Sequence, residues 1–386
     1  MKTNMLNKKL GIIGGGQLGK MLLAECSKMN INTYVLDPDS NAPCSSLANN
    51  FTCGDFNDFD TVYSFGSKCD IITFEIEHIN VDALEALERD GKKVFPKSKT
   101  LRKIQDKGIQ KDFFIHQDIP TSNFKFFKSI NELKESLRVG GVSFPCVWKK
   151  TKFGYDGFGV KVLRSLQDLN DLPESEMIIE DFISFDKEIS VIVARNQSGE
   201  VRCFETVEME FNKSTNQVEF VISPANISDE INLKAKNLAI KVSKSFDCIG
   251  VLAVEMFLVN DEILVNEIAP RPHNSGHFSI ESSKSSQFQQ HIRAIFNLDL
   301  GDTEHSGTAI MLNLVGDKGH EGPVFYENIE SVFNISSANL HIYGKEQTRP
   351  NRKMGHVTII CDKFEDAYEK AKFLKKTIRI KSRKND

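Results

Sequence analysis

Apolar runs and amphipathic stretches alternate through the first hundred residues. Leu10-Gly11-Ile12-Ile13 reads as a buried strand, Gly14 to Gly19 as a glycine-rich turn, and about Lys20 to Met29 as an amphipathic helix. A second strand runs from Asn32 to Leu36 and ends at Asp37. This pattern predicts a βαβ opening, with glycines that let backbone N–H groups approach an anion at the helix N-terminus. A third strand, Cys69 to Phe74, carries Glu75, Glu77 and His78 to its carboxyl end, the edge where ligands bind in open α/β sheets. The plainer alternative is that Glu77 and His78 merely start the next helix.

The middle third changes character. Phe144 to Lys150 is an apolar strand ending in cations, and it runs into a polar, glycine-rich segment, Thr151 to Val160. Apolar runs flank that segment, which predicts a hairpin tip able to fold over phosphates. A hairpin turn with no ligand is the ordinary alternative. Lys149 favours the first reading, because a lysine beside such a loop is placed to neutralise a polyphosphate. Met177 to Ile183 is a further strand leading to an acidic turn, and Glu188 begins the strand Ile189 to Ala194.

Two apolar runs then flank the turn signal Val259-Asn260-Asp261, predicting a hairpin that sets Glu255 roughly opposite Glu267. Ionised carboxylates facing each other in a half-buried sheet repel unless a cation bridges them. Mg²⁺ does so with one or two carboxylates plus phosphate oxygens. The bland alternative puts both acids on a solvated face. Arg271, His273, Asn274 and His277 follow directly and supply donors for anionic oxygens, which suits phosphoryl transfer.

Composition narrows the class. The chain has 386 residues, room for two or three domains, with 40% hydrophobic and 26% charged residues as in an ordinary globular protein. A net charge of -4 gives no electrostatic reason to expect a nucleic-acid partner. The eight cysteines are scattered, never as CxxC, and read as reduced core thiols. No apolar run approaches the ~18 residues of a membrane span, and the N-terminus lacks the apolar core of a signal peptide. We expect a cytoplasmic protein with no membrane partner.

Lys149, the FGYDGFG loop at 153 to 159, Glu180 to Ile183, Glu188, Glu255 and Asn266-Glu267 together resemble the ATP-grasp superfamily. GGGQLGKM near the start, TFEIEHIN at 73 to 80, NEIAPRPHNSGH at 266 to 277, SQFQQHIRAI at 286 to 295, HIYGK at 341 to 345 and RKMGHVT at 352 to 358 narrow the resemblance. In order, and over nearly the whole chain, they are similar to the 5-(carboxyamino)imidazole ribonucleotide synthetases, ATP-dependent carboxylases of purine biosynthesis.

The resemblance implies an α/β and α+β architecture. A Rossmann-like (pre-ATP-grasp) domain would occupy 1–106, an ATP-grasp domain of two lobes 107–300, and a small β-rich C-terminal domain 301–386. ATP would contact Lys107, Lys149, Gly154, Tyr155, Asp156, Gly157, Phe158, Gly159, Val160, Glu180, Asp181, Phe182, Ile183, Glu188, Asn266 and Glu267. Glu255 and Glu267 would hold Mg²⁺, with Mn²⁺ able to replace it. Gln17, Glu75, Glu77, Arg271, His273, Lys345, Arg352 and Lys353 would surround aminoimidazole ribonucleotide and bicarbonate, the last three residues near the 5′-phosphate. The catalytic group would be Arg271, Tyr155, Asp156, His273 and Asn274. The resemblance further implies a homodimer whose product passes to a separate mutase.

Three positions depart from the pattern. Lys107 stands where the family more often has arginine, Phe211 where some relatives carry histidine, and Ala269 where the wider superfamily often has asparagine. Other readings are a Rossmann dehydrogenase, which offers no account of Glu255 and Glu267, another ATP-grasp ligase such as formate-dependent glycinamide ribonucleotide transformylase, and an inactive nucleotide-binding regulator.

Overall fold

The computed structural model describes residues 7–152, 159–212 and 215–383. The expected parallel sheet is present, in the order Asn50–Cys53, Asn32–Asp37, Lys9–Ile13, Ile71–Phe74, Lys93–Val94. Strand order reverses between Lys9–Ile13 and Ile71–Phe74, so the glycine turn and Glu75 leave the sheet side by side at its switch point. The first helix is Gln17–Lys28, three residues earlier than its apolar periodicity suggests. Gly16 occupies the N-cap and has no side chain to satisfy the helix's first N–H groups; Glu75 does so from outside the helix.

A four-stranded antiparallel sheet follows, ordered Phe124–Phe127, Met177–Asp181, Cys146–Lys150, Val160–Leu163. Strand alternation divides it cleanly. Cys146, Trp148, Met177 and Ile179 face a core that includes Leu133 of helix Ile130–Arg138. Lys149 and Glu180 share the other face.

The third sheet has nine strands. Its main path is Glu262–Ala269, Gly250–Val259, Lys187–Arg195, Val207–Asn212, Gln217–Ser223, Thr308–Val315, Lys353–Cys361, Ala338–Ile342, and Val201–Cys203 pairs with Lys187–Arg195. At one end Ile189, Val191, Val254, Met256, Ile263 and Val265 pack with Ala235, Ala239 and Val242 of helix Asp229–Ser245. The alternate positions Glu188, Ser190, Glu255 and Glu267 therefore lie on the opposite face. At the other end Ala367, Ala371 and Leu374 of helix Phe364–Thr377 cover the β-rich C-terminal region. That region does not start a sheet of its own, because Phe220 to Ser223 pair with Ala309 to Leu312 across the expected boundary.

His291, on helix Gln287–Ile295, ties two of these layers together. Its Nδ1 accepts the Val251 N–H at 3.1 Å, so its Nε2 carries the proton directed at Thr73 Oγ1, 2.7 Å away.

Candidate active site

Asn260 and Asp261 both have positive φ, 48° and 66°, as a two-residue hairpin turn requires, and Val259 pairs with Glu262. Regular pairing from that turn would set Glu255 against Asn266. A bulge intervenes: Met256 pairs with Val265, but Glu255 pairs with Glu267. The extra residue, Asn266, brings its own side chain toward the same cleft, where its Oδ1 accepts from Lys149 Nζ at 2.8 Å.

Charge in the cleft is uneven. Lys107 Nζ lies 2.5 Å from Glu267 Oε2 and lowers the Glu267 pKa to about 2. Burial, followed by repulsion from Glu267 and Glu188, drives Glu255 well above the carboxylate range. Burial and the charge of Glu267 push Glu188 up to about 8. One acid is thus ionised, and two are held back first by burial and then by neighbouring negative charge. Among the described residues no group of three or more metal-ligating side chains is gathered. Two facing carboxylates are nevertheless a donor set suited to a hard divalent ion that completes its shell with phosphate oxygens and water.

On one side stand the groups expected to meet a nucleotide. Glu180, 3% exposed, is held by Lys149 at 3.0 Å, Ser122 at 2.8 Å and Lys111 at 3.2 Å. Burial opposes its ionisation, but Lys149 and Lys111 reverse the balance and lower its pKa. Glu180 therefore orients Lys149 instead of offering a free carboxylate. Sequence reasoning missed Lys111, whose side chain is 2% exposed. It sits inside a helix among unremarkable neighbours, and only the fold sets it against Glu180. Asp181 accepts from Asn123 at 2.9 Å, while Phe182, just past the end of the strand, is exposed. Gly154, Tyr155, Asp156, Gly157 and Phe158 lie outside the described residues; Gly159 N-terminally flanks the strand that Val160 begins.

On the other side, His273 Nε2 reaches Glu255 Oε1 at 3.1 Å, and its Nδ1 accepts from Ser275, whose hydroxyl meets Ser190. Arg271 Nε is 3.1 Å from Glu77 Oε1. The amide of Asn274, a residue 8% exposed, forms a reciprocal pair with Asn313, 2.9 Å in both directions. It braces the turn against the Thr308–Val315 strand.

The glycine turn also departs from its simplest reading. Gly15 N–H donates to Asp37 at 2.7 Å, and Gly16 and Leu18 N–H donate to the two Glu75 oxygens at 2.6 and 3.2 Å. A side chain at Gly16 would collide with Glu75. The donors a dinucleotide pyrophosphate would use are occupied by the protein's own carboxylates, which removes the dehydrogenase reading. Lys345 lies within electrostatic range of Glu75, and Lys353 within that of Glu255. Lys345 Nζ also donates to the Lys353 carbonyl at 2.9 Å. Arg352 donates to Gln347 O at 2.6 Å and, with Arg349, lines a groove of about 340 Å³.

Comparison with known proteins shows the family. Residues 7–105 match the ribonucleotide synthetase preATP-grasp domain, 112–288 the ATP-grasp domain and 309–370 the phosphoribosylaminoimidazole carboxylase C-terminal domain. The N5-carboxyaminoimidazole ribonucleotide synthase of Bacillus subtilis is 37% identical over 357 residues, 91% of each chain. The chain belongs to the N5-carboxyaminoimidazole ribonucleotide synthetase family. The synthetase structure from Thermotoga maritima shares 40% identity and a TM-score of 0.89, covering 97% of this chain and 100% of that one. The family member from Aspergillus clavatus, solved with ADP and 5-aminoimidazole ribonucleotide, has 32% identity and a TM-score of 0.87, covering 96% and 99%. Curated phosphoribosylaminoimidazole carboxylases from Candida glabrata and Vigna aconitifolia are longer, and the chain spans about two thirds of their length. Among the described residues no helix is long and apolar enough to cross a membrane.

Proposed function

We propose that this chain carboxylates 5-aminoimidazole ribonucleotide with bicarbonate at the expense of ATP, giving 5-(carboxyamino)imidazole ribonucleotide, ADP and phosphate in purine biosynthesis. The observation that carries the reading is the bulge-set pair Glu255 and Glu267, with Lys107 and Lys149 on one flank and Arg271 and His273 on the other.

Bicarbonate is a poor electrophile and needs activation. One of its oxygens attacks the γ-phosphorus, the bond to the ADP oxygen breaks, and carboxyphosphate forms. The 5-amino nitrogen then attacks the carboxyl carbon, or CO₂ released from it; the bond to phosphate breaks and the amine loses a proton. Lys149, fixed between Glu180 and Asn266, supplies positive charge to the polyphosphate. A Mg²⁺ or Mn²⁺ ion held by Glu255 and Glu267 would neutralise phosphate charge. Lys107, paired here with Glu267, would add positive charge beside the phosphates. Arg271 offers a planar fork to a planar anion, and His273, proton on Nε2, orients Glu255. Lys345, Lys353 and Arg352 would receive the 5′-phosphate, and Gln17, Glu75 and Glu77 the base and ribose. Water must be kept from the reactants, because carboxyphosphate hydrolyses readily.

Family resemblance alone supports a cytoplasmic homodimer that hands its product to a separate mutase, and domain limits of 1–106, 107–300 and 301–386. The test is ADP release from Mg-ATP and bicarbonate, with and without aminoimidazole ribonucleotide, beside formate with glycinamide ribonucleotide. Release that requires aminoimidazole ribonucleotide is expected. Release with the rival pair only would transfer the chain to another ATP-grasp reaction, and none with either would favour an inactive regulator.

A further inference from the structure

A column of buried imidazoles stands between the Arg271–His273 turn and the C-terminal strands. His277 lies 4.8 Å from His356, and His356 lies 4.4 Å from His341 with ring planes 8° apart. His277 is 1% and His356 0% exposed, and burial holds both neutral. A core that needed only volume would use leucine or phenylalanine here, since buried polar rings are costly unless their nitrogens are bonded.

The bonds they make are directional. Gln287, 0% exposed, accepts the His273 N–H on Oε1 at 2.9 Å and donates from Nε2 to the His273 carbonyl at 2.7 Å. Those two partners fix which end of the amide is nitrogen, because a flipped amide would set donor against donor. The same Nε2 lies 3.0 Å from His277 Nδ1, which must therefore be the acceptor nitrogen. At the other end of the column the Tyr343 hydroxyl meets His356 Nδ1 at 3.0 Å. Lys345 Nζ lies 5.7 Å from the centre of the Tyr343 ring, and His341 is fixed by Glu281 at 2.5 Å. Contacts thus run from Glu255 through His273, Gln287, His277 and His356 to Tyr343, whose ring Lys345 adjoins.

We propose that Gln287, His277, His356 and Tyr343 are positioning residues that hold Lys345 and Lys353 in register with the Arg271–His273 turn, so that the ribonucleotide amine meets the activated carboxyl before water does. This rests on the function proposed above. Its signature is loss of coupling: a slack column lets carboxyphosphate form and hydrolyse, releasing ADP without carboxylated product.

Tyr343→Phe removes one oxygen and keeps the ring beside Lys345. It is expected to raise the ribonucleotide KM about tenfold, leave the ATP KM within about twofold, and release more than one ADP per product. His277→Leu is expected to uncouple more strongly. His277→Asn, whose carbonyl can sit near the lost Nδ1, is expected to restore most of the coupling. Should His277→Leu not fold, Tyr343→Phe decides the matter alone. One ADP per product in the foldable variants, equal rises in both KM values, or no advantage of His277→Asn over a folded His277→Leu would overturn the column while wild-type turnover left the function standing. A wild type with no ribonucleotide-dependent ADP release would overturn both.

Discussion

Acid sensitivity offers a quantitative check on the contact between the N-terminal sheet and the nine-stranded sheet. Burial holds His291 at a pKa of about 3, whereas the unfolded imidazole titrates near its ordinary 6.5. The folded ring is therefore neutral over a range in which the unfolded ring takes up a proton. Its contribution is fully present above about pH 6.5 and is lost progressively as pH falls toward 3. Between about pH 7.5 and pH 5 the loss amounts to ~2 kcal/mol from this one residue. For 386 residues an unfolding entropy of about 0.8 kcal/mol per kelvin turns that into a Tm decrease of about 2–3 °C. His291→Asn keeps an acceptor for the Val251 N–H, gives up the Thr73 bond and does not titrate. The variant should be less stable at neutral pH by about 1–3 kcal/mol, yet lose about 2–3 °C less than wild type on acidification. Calorimetric scans of both proteins at the two pH values measure that difference of differences, in which the other buried histidines cancel. Equal acid-induced losses would refute the assignment of His291 as a neutral, doubly bonded tie.

Other outcomes follow from the cleft. Glu267→Ala should lower turnover by at least about 10³-fold while the Tm changes little, because the acid is fixed by one lysine at a partly exposed site; near-normal turnover would remove it from the metal pair. Lys345→Ala should raise the ribonucleotide KM far more than the ATP KM, and equal rises would refute its phosphate role. Lys111→Met, which leaves Glu180 short of one buried partner, should cost about 3 kcal/mol, or about 4 °C in Tm, and weaken ATP binding through Lys149; an unchanged Tm would show that Lys149 and Ser122 suffice.

How much of this was legible in the chain depended on whether the signal was local. The acid hairpin could be read because its strands alternate and its turn residues tolerate positive φ, so Glu255 and Glu267 were foreseen together. The bulge was not foreseen, since one extra residue, Asn266, leaves no mark on composition or period. The glycine turn was recognised, but the anion at it was sought outside the protein. Glu75 fills that place from 59 residues away, a pairing that only strand order creates. Asn274 illustrates a partner that only the fold supplies: it follows Arg271 and His273 closely in the chain, and its amide pairs with Asn313 from 39 residues away. Gln287 lay within a motif that matched the family, yet nothing local announced that it clasps both backbone groups of His273.

The continuous nine-stranded sheet bears on how the protein can be taken apart. A cut in the connection before Thr308 would separate the edge from Phe220 to Ser223 from its partner Ala309 to Leu312 and bare a row of unpaired peptide groups on apolar strands. Such an edge recruits strands from other molecules. Fragments made at that point should clump when expressed alone and recover solubility only when produced together, so the C-terminal region is a half of a shared slab and not a detachable accessory.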